Sequence, residues 1–276
     1  MRTFLRPFLC VVLGLLSGCA TLGNLNFYSD EELEPLSAQA YEEATKETGG
    51  LVTKGADYEM VQRVAKKIAA ACEADYRWEA RLLKADNIPN AFCLPNGRIA
   101  IYTGILPITQ NEAGLAVVMG HEVAHAVLRH GGKRMTQGSI MQGAMAAIDA
   151  GMGLTEMSPD TKGMVMGALG MGANVGVLLP FSRDHESEAD IEGLRYAIRA
   201  GYDPEEAPKL WERMAKLGGS SQPEWLSTHP GSEARAAKLR EMIPVIKEQE
   251  KGWKPQPKAP PAQAPSKKVD PGAVKK

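Results

Sequence analysis

Apolar residues recur along this chain with two different periods. Met60, Val64 and Ile68 fall four residues apart between Ala56 and Cys72, the spacing of one helical face. A helix is also expected from about Asp30 to Lys46, ended by Gly49-Gly50. The pattern then changes, and WEARLLKA (78–85) and RIAIYTG (98–104) read as strands. Between them lies NIPNAFCLPNG, whose Pro95-Asn96-Gly97 is turn chemistry suited to a hairpin or small sheet.

Helical spacing returns further on. Thr109-Gln110-Asn111-Glu112 has the pattern of a capping box. It opens the apolar stretch NEAGLAVVMGHEVAHAVLRH, expected to stop at Gly131-Gly132. Residues 133–180 hold eight of the thirteen methionines and much glycine, which predicts two loosely specified helices broken near Ser158-Pro159. The run 164–179, with Asn174 inside it, reads as a soluble lid or apolar groove rather than a membrane segment. Ser182 can cap a helix to Ala200, and Asp203-Pro204 can start another to about Leu217. A last helix is expected from about Glu233 to Ile243. Together these predict an α+β fold, mainly helical, with a small β-sheet.

Neither end of the chain reads as part of that fold. Arg2 and Arg6 precede the short apolar run FLCVVLGLL (8–16), the form of a signal peptide. Leu16-Ser17-Gly18-Cys19 resembles the bacterial lipobox. That resemblance implies removal of residues 1–18, lipidation of Cys19 and a tether over 19–28, hence a membrane partner through the lipid. Ala20, where an aspartate would retain the protein elsewhere, implies the outer membrane and its periplasmic face. Residues 251–276 carry seven Lys and one Asp among prolines and are expected to be disordered. Between the two ends remain 23 basic and 32 acidic residues, a balance unlike that of a nucleic-acid binder. The folded domain is thus expected over 29–250. Of its cysteines, Cys72 and Cys93 could form one disulfide in an oxidising compartment or remain two separate buried thiols.

The chemistry is concentrated in two short stretches. His121-Glu122-Val123-Ala124-His125 is HExxH, which places two imidazoles on one helix face with a carboxylate beside them. Neutral imidazole nitrogens suit zinc, which lowers the pKa of its water toward ~7. Glu122 is placed to take that water's proton during attack on a peptide carbonyl. A third ligand could come from His130, His185 or a carboxylate. His130, five residues beyond His125, points well around the helix and reads as a surface residue. In DHESEAD (184–190), Glu186 and Asp190 share a face, whereas Glu188 lies about 200° from either. Glu186 is therefore the candidate ligand, and Asp190 the candidate acceptor for a ligand histidine's outer N–H. Glu188 is read as facing outward, with Asp184 and His185 at the helix start, where acids are favoured.

HExxH followed about sixty residues later by ExxxD resembles the gluzincin metallopeptidases. Four further stretches narrow the resemblance. They are Asn90-Ala91-Phe92 with its following turn, Tyr102-Thr103-Gly104, SRDHESEAD, and Thr228-His229-Pro230 with Arg235 beyond. Over roughly residues 30–245 the chain is similar to the family of the CAAX prenyl protease. The best match is its bacterial lipid-anchored or periplasmic branch, which includes proteases of outer-membrane protein quality control.

The resemblance implies a zincin-type domain with one zinc per chain on His121, His125 and Glu186, and Glu122 as general base. Asp190 would support His121, and Asn90, Ala91 and Phe92 would bind substrate as an edge strand. His229 and Arg235 match family residues near the metal. His229 would either stabilise the oxyanion or act as a fourth, inhibitory ligand. Cys93 and Asn96 depart from the family pattern without touching its chemistry. The implied function is a lipid-anchored zinc endopeptidase acting on misfolded or misassembled cell-envelope proteins. The alternative is a chaperone for outer-membrane proteins that uses the same groove with little turnover.

Overall fold

The computed structural model describes residues 24–140, 181–216, 225, 229 and 233–255. The expected signal segment with Cys19, the lid run at 164–179 and most of the basic tail lie outside the described residues. What is described is mainly helical and is built around a four-stranded mixed sheet.

Helix α1 (Asp30–Glu47) begins at Ser29, whose hydroxyl accepts from Glu32 N while the Glu32 carboxylate accepts from Ser29 N. The sheet follows as β1 (Leu51–Val52), β2 (Glu79–Leu83), β3 (Ala91–Leu94) and β4 (Arg98–Tyr102), in spatial order β1-β2-β4-β3. A hairpin forms, but between β3 and β4; the two strands expected from the pattern, β2 and β4, run parallel. The segment NIPNAFCLPNG therefore contains a strand of its own, β3, at the sheet's edge.

Strand alternation splits the side chains between two faces. Leu83, Ala100 and Tyr102 meet Tyr41 of α1, whose hydroxyl donates to Ile99 O at 2.7 Å. Leu82, Ile99, Ile101 and Ala91 face the main core with α2 (Ala56–Ala71). Cys72 and Cys93 pack against that core as two separate thiols, one of the two alternatives the sequence left open. The Cys72 Sγ turns to the carbonyl of Ala69 at 3.4 Å.

Helix α3 (Leu106–Thr109) precedes α4 (Glu112–Val127). The expected capping box at Thr109 does not form. Asn111 is the N-cap, and its side-chain oxygen accepts from Gly114 N at 2.9 Å. Every residue of α4 from Gly114 to Ala126 is buried, as expected of a helix apolar all round. Gly131-Gly132 does not end the helical run. The break comes earlier, at Leu128 and Arg129, and α5 is helical over 130–140.

Helices α6 (Arg183–Arg199), α7 (Glu206–Lys216) and α8 (Glu233–Gln249) complete the layer around α4. Ser182 caps α6 by accepting from His185 N. The last helix continues past Pro244, with Ile243 and Ile246 buried on either side of it. No helix among the described residues is long and apolar enough to cross a membrane.

The pass of α6 over α4 is set by two glycines. A Cβ on Gly193 would lie 2.6 Å from His121 N, and one on Gly120 would lie 2.7 Å from Gly193 O. Backbones can approach this closely only without side chains. Gly193→Ala should therefore force the helices apart beside His121 and cost about 1–3 kcal/mol, the usual range for overpacking. Urea unfolding measures this; an unchanged midpoint would mean that the crossing is looser than described.

Candidate metal centre

Four donor atoms from three parts of the chain converge at the bottom of the crossing. His121 and His125 come from α4, Glu186 from α6, and His229 from the segment before α8. Their donor atoms all lie within 4.8 Å of one another, and all four residues are buried. His125 Nε2 is 3.0 Å from His121 Nε2, which is 3.2 Å from His229 Nδ1. Glu186 Oε1 is 2.9 Å from His229 Nδ1 and 3.4 Å from His125 Nε2.

The fit to zinc can be tested on these distances. Four ligands with zinc bonds of about 2.0–2.1 Å at tetrahedral angles stand about 3.3 Å apart, the middle of the observed set. The proton positions agree. His121 Nδ1 lies 3.1 Å from the Asp190 carboxylate, which can only accept, so His121 carries its proton there and leaves Nε2 bare. Its bare nitrogen meets the donor atoms of the other three residues, an inward set of lone pairs that a cation can satisfy. Two or three imidazoles and one carboxylate at this spacing are a ligand set that suits zinc.

Surrounding charges keep these groups in the protonation states a metal needs. Burial drives the His125 pKa well below the usual histidine value, which keeps the ring neutral. Burial acts to raise the Glu186 pKa, but its close contacts with the His125 and His229 imidazoles outweigh it and hold the carboxyl below the usual carboxylate range. Asp190 behaves alike: burial opposes ionisation, and the Arg235 guanidinium overcomes it.

Arg235 is the hub of that support. It donates to both oxygens of Asp190 at 2.6 Å and also to Glu186. Its guanidinium lies 3.6 Å from the centroid of the Trp211 ring. Trp211 in turn stacks on Trp225, with centroids 5.1 Å apart. Trp225 donates its indole N–H to Glu122 Oε1 at 2.6 Å, which fixes one oxygen of that carboxylate. Neither tryptophan stood out in the sequence, because no motif or spacing ties them to HExxH.

The other expected residues are placed as follows. Asn90, Ala91 and Phe92 lie at and just before β3, whose outer side pairs with no strand among the described residues. This strand packs beside α4. One expectation is corrected. His130 is not a surface histidine: it is buried, with Nδ1 3.0 Å from His125 Nδ1. Glu188 lies on the exposed face, as expected, and from there its carboxylate reaches His130 Nε2 at 3.0 Å. His185 is buried as well and stacks on His130 at 4.3 Å.

Comparison with known proteins agrees with this geometry. The model of peptidase family M48 matches residues 56–243. The mitochondrial metalloendopeptidase OMA1 of Schizosaccharomyces pombe is 38% identical over 67% of this chain and 52% of the relative. The protein of the same name from Arabidopsis thaliana is 37% identical over 66% of this chain and 36% of its own length. The β-barrel assembly-enhancing protease of Yersinia pestis is 30% identical over 58% of this chain and 33% of the relative. This chain thus spans about half or less of the length of these relatives.

These relatives correct the expected location. Proteins at 37 and 38% identity are mitochondrial by name, and bacterial matches stand at 30%, so neither the bacterial branch nor the outer membrane follows. Small residues before a cysteine form a pattern of only four positions, too short to outweigh a match over most of the chain.

Proposed function

The chain belongs to peptidase family M48, whose members depend on zinc, and from that premise we propose that it is an endopeptidase that cleaves misfolded or misassembled proteins. The observation that carries this is the convergence of His121, His125, Glu186 and His229 next to Glu122. Zinc held there would supply Lewis acidity and make a water acidic enough to attack at neutral pH.

The chain's own groups do the rest. One Glu122 oxygen is held by Trp225, and the other is left to take the water's proton and pass it to the leaving amine nitrogen. Asp190 and Arg235 hold His121 and Glu186 in place. The outer edge of β3 would align an extended substrate by backbone pairing, which tolerates many sequences. His229 stands at the fourth corner of the donor set, and we read it as closing the site until it is displaced. Misassembled cell-envelope proteins are the finer reading; the Yersinia pestis relative is by name a protease that enhances β-barrel assembly.

The test is metal analysis with casein cleavage, on wild type and His229→Ala. We expect about one zinc per chain, activity lost on chelation and restored by zinc, and a faster variant. Cleavage by zinc-free protein would sink the metallopeptidase reading. A slower variant that keeps its zinc would instead assign His229 to stabilising charge on the substrate.

A further inference from the structure

The two HExxH histidines are held by different means. His121 Nδ1 meets a carboxylate directly, that of Asp190 at 3.1 Å. His125 Nδ1 meets another imidazole, with Nδ1 of His130 at 3.0 Å. The far nitrogen of His130 then lies 3.0 Å from Glu188 Oε2. From this chain of contacts we infer that His130, backed by Glu188, is a positioning residue for His125 as a metal ligand. The inference rests on the zinc reading above.

Each link fixes the next. For Nε2 of His125 to serve as a ligand it must be bare, so its proton sits on Nδ1 and is donated to His130. His130 Nδ1 must then accept, so its own proton sits on Nε2. There it points at a carboxylate, which can only accept. No other arrangement of protons satisfies both contacts and leaves His125 free to bind a metal.

Backbone geometry shows how His130 reaches this position. In an unbroken helix a residue five positions on lies about 140° around the axis and faces away. The chain instead breaks at Leu128 and Arg129, and Arg129 takes a left-handed φ of 59°. Such a conformation is costly for a residue with a side chain and persists where its surroundings hold it. Here Arg129 donates to Asp30 Oδ1 at 3.0 Å and to the Tyr28 carbonyl at 2.6 Å. The next residue, His130, is fully buried between His125 and the stacked ring of His185. Glu188, whose side chain is 48% exposed, closes the relay at the surface.

Zinc affinity, measured by competition with a chromophoric chelator, tests the relay. His130→Phe fills the space without an acceptor and should weaken binding about 10–100-fold, the usual cost of losing support behind a ligand. His130→Asn keeps an oxygen near the position of Nδ1 and should recover most of that loss. Glu188→Ala, at a half-exposed site that tolerates change, should weaken zinc several-fold and add nothing to His130→Phe. Wild-type affinity in His130→Phe, equal losses in the Phe and Asn variants, or no effect of Glu188→Ala would each overturn the relay. If Phe prevents folding, the Asn and Glu188 variants still decide it. Wild-type protein that binds no zinc would overturn the metal reading itself.

Discussion

Glu122→Gln should lower casein cleavage about 10²–10⁴-fold, the range expected for a lost general acid–base group, with zinc content and thermal unfolding little changed. The amide oxygen can still accept the Trp225 N–H that now holds Glu122 Oε1 at 2.6 Å, so the side chain keeps its place. What it loses is the ability to take a proton. Glu122 is not in the convergent donor set, so the metal should stay. Cleavage by the variant at the wild-type rate would remove Glu122 from the mechanism. Loss of zinc would show that the carboxylate belongs to the metal site and not to the proton path. The same variant separates a peptidase from a chaperone, because holding an unfolded chain needs no proton transfer.

Part of this arrangement could be read from local spacing alone. The 3.6-residue period of α4 put His121 and His125 together, and the same period paired Glu186 with Asp190 on α6. Other parts depend on contacts with no local signature. Trp225 is 103 residues from Glu122, and Arg235 is 45 from Asp190. His130 was misplaced for a specific reason: helical periodicity was carried through a break that Leu128 and Arg129 do not announce. Gly131-Gly132 looked like the stop, yet the chain had already turned three residues earlier. The last helix is expected to end near Ile243, but α8 runs on through Pro244, and the buried Ile246 rewards it for doing so. In β1, two residues are too few to show any period, so only pairing with β2 makes them a strand.

Glu186→Gln and Glu186→Ala should lose zinc far beyond the effect of any supporting residue, while Glu188→Gln should keep it. Glu186 is the one carboxylate in the donor set, within 3.6 Å of all three histidine donors. Neutralising it removes the only anionic ligand and leaves three imidazoles, with the Arg235 cation still beside the site. The fold should tolerate this, because Arg235 keeps both bonds to Asp190. Loss of metal will therefore be separable from loss of structure by comparing zinc content with the unfolding midpoint. Glu188 acts only through His130, and its glutamine still offers an oxygen to the His130 N–H. Its zinc should weaken by no more than several-fold, against a loss well beyond about 100-fold for Glu186. Retention of one zinc per chain by Glu186→Ala under chelator would show that three histidines suffice. The donor set would then be His121, His125 and His229, and the carboxylate would be a support like Asp190.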